Sequence, residues 1–211
     1  MDIFNASNIQ TAAEWITFLY GLTFHEFAHA LSAFWLGDDT AKNEGRLTLN
    51  PLVHIDPIGL LSLIIFGIGW AKPVVMNPLH FRYPKFYSVL TALAGPLSNF
   101  ILALFSIYGI KYIYAPFFHD STSMLSTIVL AFFVMGMEIN IFLGVFNMLP
   151  IAPFDGSHIV IALLPEGWKA TYRHFSYFLC ILILVFCSKE LGYVLRYGTD
   201  QMRELLFKFV I

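Results

Sequence analysis

His25 and His29 stand four residues apart, with Glu26 beside the first, in the run His25-Glu26-Phe27-Ala28-His29. On a helix, residues i and i+4 project from one face. The two imidazoles can therefore converge on a single ion, and Glu26 is placed to take a proton from water held there. That is the chemistry of metal-assisted hydrolysis. A hydrolytic zinc takes three protein ligands and keeps an open position for water, so a third ligand must come from elsewhere in the chain. The run Asn147-Met148-Leu149-Pro150-Ile151-Ala152-Pro153-Phe154-Asp155-Gly156 offers a candidate. Pro150 and Pro153 stop a helix, and irregular backbone at membrane depth is tolerated where it lines a protein or water cavity. Asp155 would hang into that cavity beside the permissive Gly156. The same residues allow other readings: a polar helix face packed on its neighbours, a proton relay in a metal or proton transporter, or, for Asp155, a solvated interfacial loop.

The elements that must hold these groups are too apolar for an ordinary soluble domain. Of 211 residues, 58% are hydrophobic and 12% charged, where soluble domains carry roughly 25% charged residues. Twelve basic and 14 acidic side chains cannot cover a surface of this size, so the bilayer is the expected solvent. A net charge of -2 makes no case for nucleic acid as a partner. Cys180 and Cys187 lie in an apolar run, about 10 Å apart at helical rise, too far for a disulfide, and read as small hydrophobes. Residues 1–14 hold Asp2 and Glu14 but no Lys or Arg, so no cleavable leader is expected.

Four segments approach the roughly 20 apolar residues of a spanning helix: 11–36, 86–114, 124–149 and 172–188. A fifth, 58–70, is short and contains Gly59, Gly67 and Gly69. It reads as a re-entrant hairpin or a short interfacial piece. Residues 69–76 are strand-like around Pro73 and suit an edge strand that pairs with extended substrate. The expected fold is an all-α polytopic membrane protein of about four transmembrane helices, a re-entrant segment and a short membrane-associated strand region, in one domain over residues 1–211. Lys42, Arg46, Lys72, Arg82, Lys85, Lys169 and Arg173 fall on one side, against Lys111 on the other, which makes the first side cytoplasmic. If 58–70 returns to the side it left, Asp155 arrives at the same face as the two histidines. If it crosses, Asp155 ends on the wrong side.

Several further runs accompany these residues. They are Gly37-Asp38-Asp39-Thr40-Ala41, Gly45-Arg46-Leu47-Thr48-Leu49-Asn50-Pro51-Leu52, His54-Ile55-Asp56-Pro57, Gly69-Trp70-Ala71-Lys72-Pro73-Val74, and Ala94-Gly95-Pro96 with Asn99. In this order the chain resembles the site-2 protease family of intramembrane zinc metalloproteases, and within it the compact branch without PDZ or CBS domains. The resemblance implies that His25, His29 and Asp155 bind one zinc per chain and that Glu26 is the general base. By the same resemblance Asn147 is a candidate donor to the developing oxyanion, and the substrate is a transmembrane segment of another protein. It further implies a multi-pass protein of the cell membrane, in contact with lipid, with its site toward the cytoplasmic face. Ala152 and Phe154 depart from the Pro and Leu usual in the last motif; neither removes a ligand. Glu138, mid-helix in the third long segment, reads equally as a helix-pairing or a functional carboxyl. Asn99 reads as a buried hydrogen-bonding group, and His54 as either a polar contact near the site or a loop hydrogen bond. His80, His119, His158 and His174 read as interfacial or loop histidines. Oligomeric state is not written in the sequence.

Overall fold

The computed structural model describes residues 5–66, 69–118, 121 and 123–210, and helices occupy most of them. His119 lies outside the described residues. Helix α1 (Ala6–Trp35) opens on Asn5, whose side chain accepts the Asn8 N–H and satisfies a free donor of the first turn. It closes at Leu36, after which Gly37 takes φ 102°, a left-handed conformation suited to glycine. Short helices α2 (Thr40–Asn43) and α3 (Pro51–His54) lead to α4 (Pro57–Phe66). A 3-10 turn (Pro78–His80) precedes α5 (Pro84–Gly109), which widens into a π-helical turn (Ile110–Tyr114) and continues as α6 (Ala115–Phe118). The remaining helices are α7 (Met124–Asn147), α8 (Gly156–Leu163), α9 (Glu166–Phe186) and α10 (Ser188–Val210).

Among the described residues three stretches are long and apolar enough to cross a membrane: Pro84–Phe118, Met124–Asn147 and Glu166–Phe186. They match the expected segments 86–114, 124–149 and 172–188. The first expected span, 11–36, falls on α1, which is 30 residues long. Its buried face carries Thr17, Thr23, His25, Glu26 and His29, and these lower its hydropathy while turning away from the surroundings.

Helices α1, α5 and α7 pack on one another and form the centre of the molecule. Small residues permit the close approach: a Cβ on Gly144 would lie 2.4 Å from the Phe100 ring, and one on Gly136 2.6 Å from Ser106 Oγ. Helix α4 has ten residues, about 15 Å of rise, half of a hydrocarbon core of about 30 Å. The chain then comes back to where it began. A Cβ on Gly59 would lie 2.2 Å from the Trp70 carbonyl oxygen, and one on Gly69 2.6 Å from that of Gly59.

The run 69–76 makes one antiparallel bridge, Ile55 to Ala71, with the Lys72 N–H donating to His54 O at 2.9 Å. Among the described residues it forms no longer ladder. Pro73 has no N–H, and the next amide, that of Val74, goes to a side chain on α1.

Helix α7 ends at Met148, and the chain folds back so tightly that a Cβ on Gly156 would meet the Met148 carbonyl oxygen at 2.2 Å. Helix α9 braces this turn: Tyr172 Oη donates to Pro150 O at 2.7 Å, and the Ala152 N–H donates to Ser176 Oγ at 2.9 Å. Helix α10 lays Leu206 and Val210 against Ala103, Ile107, Met137 and Ile141 of α5 and α7. There Arg203 pairs with Glu138 at 2.8 Å and with Asp200 at 3.2 Å. Cys180 is buried and Cys187 exposed, and both are free thiols.

Candidate metal centre

The helical period places His25 and His29 on the buried face of α1, with ring centroids 4.7 Å apart and planes at 85°. The fold-back after α7 delivers Asp155 to the same point. Asp155 Oδ2 lies 3.0 Å from His25 Nε2 and 3.3 Å from His29 Nε2, and the two Nε2 atoms are 3.1 Å apart. Four ligands at about 2.0–2.1 Å around a tetrahedral ion are separated by about 3.3 Å, so this triangle has the size that zinc requires. Two imidazole nitrogens and a carboxylate oxygen are also a common zinc donor set.

The other ring nitrogens are fixed by the surrounding helices. His29 Nδ1 lies 2.7 Å from Thr91 O, which can only accept, so Nδ1 carries the proton and Nε2 presents its lone pair. His25 Nδ1 lies 2.6 Å from Asn99 Oδ1. The Asn99 amide is oriented by its own Nδ2, which donates to Gly21 O at 3.0 Å and to Asn140 Oδ1 at 2.9 Å. Asn140 Nδ2 donates in turn to Gly136 O at 2.8 Å. A buried chain across three helices thus sets the tautomer of His25, the kind of outer contact that tunes metal ligands. Asn140 was not singled out from the sequence. The available signal was an amide side chain in the middle of an otherwise apolar segment.

Gly95 completes the cradle. A Cβ there would lie 2.4 Å from His29 Nε2 and 2.6 Å from His25 Nε2, so only glycine leaves the space in which the donor atoms meet.

Glu26 is buried beside the pair, and its Oε2 accepts the Val74 N–H at 3.2 Å. Asn147 stands at the last turn of α7 with Nδ2 donating to Leu143 O at 3.0 Å, and its second amide hydrogen remains for another acceptor. The other polar residues have separate occupations. His54 bonds Thr48 O through Nε2 at 2.8 Å and holds a loop; Glu138 pairs with α10; His80 contacts Asp38; and His174 is exposed on α9. His158, one turn beyond Asp155, is held low by burial, against the pull of Asp155 and with His29 and Arg173 adding to the effect. Among the described residues the one cluster able to hold a metal is His25, His29 and Asp155.

A family model described as Peptidase family M50 matches residues 109–187. YwhC of Bacillus subtilis (strain 168), which bears a zinc metalloprotease name, is 39% identical over 92% of this chain and 88% of its own length. Rip2 of Mycolicibacterium smegmatis, named likewise, is 40% identical over 41% of this chain and 35% of its own length. A relative in Methanocaldococcus jannaschii with the same kind of name is 30% identical over 66% of this chain and 64% of its own length. No solved structure matches the chain.

Proposed function

The chain belongs to peptidase family M50, the site-2 proteases, and is a zinc metalloprotease of the membrane; from that premise we propose that it is an intramembrane endopeptidase that cuts transmembrane segments of other proteins. The observation that carries the reading is the triangle of His25 Nε2, His29 Nε2 and Asp155 Oδ2, closed within 3.3 Å between helices of a membrane-embedded bundle. These three residues hold the zinc. When bound, zinc supplies Lewis acidity, polarising a peptide carbonyl and acidifying water at neutral pH.

The chain's own groups do the rest. Glu26 accepts a proton from the attacking water and returns it to the leaving amine as the C–N bond breaks. Asn147 offers its free amide hydrogen to the oxygen on which charge develops. Thr91 and Asn99 keep both imidazoles in the ligating tautomer. Nothing in the fold or the comparisons favours the transporter reading of the same ionisable residues.

In the membrane, α1, α5, α7 and α9 cross as four spans within one domain, residues 1–211. Helix α4 enters and returns, because it covers half the hydrocarbon depth and the chain at Trp70 is back against Gly59. The basic residues between α1 and α5 and after α7 then face the cytoplasm, and Asp155 reaches the same side as His25 and His29. The site opens toward the cytoplasmic face, where water enters.

Glu26→Gln is the direct test. Gln keeps the shape but accepts no proton, so cleavage of a model transmembrane substrate in liposomes falls roughly 100-fold or more with zinc content unchanged. Equal cleavage by a fully metallated Glu26→Gln protein would remove Glu26 from the mechanism. Proteomic comparison of membranes holding wild type and Glu26→Gln identifies the uncut substrates.

A further inference from the structure

Three amides of the segment that the sequence offers as a substrate edge bond the protein itself. Its Lys72 N–H donates to His54 O, its Val74 N–H to Glu26 Oε2 at 3.2 Å, and its Asn77 N–H to Asp38 Oδ2 at 2.7 Å. Arg46, 3% exposed, bonds the Lys72 carbonyl and reaches Pro73 O at 3.2 Å, while its other terminal nitrogen takes the Val53 carbonyl. The Val74 side chain is packed in a small apolar cluster with Ala30 and Ala41, against which Leu47 rests. Ala30 lies one helical turn beyond Glu26, so this packing seats Val74 directly over the carboxylate-bearing face of α1. Asp38 has no exposed surface; besides the Asn77 amide it takes the Thr40 hydroxyl at 2.5 Å and His80 Nδ1 at 2.9 Å.

We propose that segment 71–77 is the positioning device of Glu26: the Val74 N–H orients the carboxylate, and Arg46 and Asp38 hold Val74 in register for it. A glutamate side chain has three rotatable bonds, and a base must be held within a narrow range of position to act on a proton. The hydrogen bond from Val74 fixes one carboxylate oxygen and leaves the other for the proton. A backbone N–H is a suitable holder, because it donates to the carboxylate without competing for the proton. Arg46 serves as the clamp because its planar fork reaches carbonyls of both limbs, Val53 on one and Lys72 with Pro73 on the other, which an ammonium cannot reproduce. Arg46 and Asp38 are positioning residues, acting through Val74. The proposal rests on Glu26 being the general base.

The test uses the full-length zinc-loaded chain in lipid nanodiscs, with amide exchange resolved to single residues. Glu26→Ala speeds exchange at Val74 about tenfold or more and leaves Asn77 unchanged; Asp38→Asn speeds Asn77 and, through it, Val74, and Arg46→Lys speeds Val74. Unchanged Val74 exchange in Glu26→Ala, or in Arg46→Lys, overturns the proposal without any substrate being needed. With a labelled transmembrane peptide as probe, Arg46→Lys lowers kcat about tenfold with KM and zinc content kept. In a Glu26→Asp background, where the shortened carboxylate no longer reaches Val74, the same change costs less than about twofold. An equal loss in both backgrounds marks Arg46 as merely structural and sinks the idea. Failure of the general-base reading is a different result, namely full activity of Glu26→Gln.

Discussion

In the α1–α5–α7 bundle, polar side chains turn inward and meet protein partners, whereas α9 and α10 leave most of their surface uncovered. Within Pro84–Phe118 an 18-residue apolar stretch is 50% buried inside the protein, against 11% for one within Glu166–Phe186. Asn99 and Asn140 are at most 1% exposed and form one chain with His25. Around Arg203 the ion pairs stay open, with side chains 35% exposed for Arg203, 36% for Glu138 and 48% for Asp200. Both regions place ionisable groups beside apolar helices, yet only the first excludes its surroundings. The difference lies in residue size at the crossings. Gly95, Gly136 and Gly144 let the three bundle helices approach until a Cβ would collide, and close approach is what lets short side chains such as Asn reach across. Helix α10 is attached along one apolar stripe, and its charges sit on the flank.

The contrast can be broken most severely at Gly95. Gly95→Ala puts a methyl group within 2.6 Å of both Nε2 atoms, and neither ring can retreat without leaving Thr91 or Asn99. Zinc affinity falls by more than about 100-fold, read by metal analysis of the purified protein, with a lesser cost in stability of about 1–3 kcal/mol from overpacking. Retention of a full equivalent of zinc would show that the cradle is roomier than this geometry requires.

Asn99→Ala cuts the buried chain one step out. It strips His25 Nδ1, Asn140 Oδ1 and Gly21 O of a partner together. Zinc affinity drops roughly 10–100-fold, and each orphaned buried group costs about 1–3 kcal/mol before water repairs it. Competition with a chelator and thermal melting measure the two separately.

Acid acts at the loop that borders the bundle. Burial works to raise the Asp38 carboxyl, but hydrogen bonds from the Thr40 hydroxyl, the Asn77 N–H, His80 and the Thr40 N–H outweigh it and hold the group below the usual carboxylate range. Its folded value lies below its unfolded one, so its contribution is complete above about pH 4 and is lost as pH falls through the lower folded value. Melting temperature against pH therefore has a shallower acid limb in Asp38→Asn than in wild type. Parallel curves would remove Asp38 as a source of the acid dependence.

The smallest effect on the centre belongs to the open region. Arg203→Ala leaves the Glu138 carboxyl, midway along the α7 span, without its ion-pair partner and lowers stability by about 2–3 kcal/mol. Zinc content and cleavage stay at wild-type levels. A loss of zinc in this variant would mean that α10 supports the centre after all.

Much of the site was legible because its signals are local. The four-residue spacing of His25 and His29 puts both on one helical face whatever the neighbours are, and Pro150 and Pro153 end a helix by removing donors. Apolar length alone located α5, α7 and α9. Other assignments needed the third dimension. Residues 69–76 read as strand-like, but that the Val74 amide meets Glu26, 48 positions earlier, is written in no local pattern. Glu138 carried equal readings until Arg203, 65 positions later, was found against it, and His54 until its ring met Thr48 O.

Donor types, helical register and the points where backbone must break each depend on a few adjacent residues and are legible in the chain. Which atom each group meets follows from packing: Thr91 O for His29, Asn99 for His25, Val74 for Glu26, and the space left at Gly95. The physical reason is that periodicity specifies the face a side chain occupies, while its partner is set by how deeply two helices interlock and by the offset along their axes. That depth and offset emerge from the packing of all three bundle helices together.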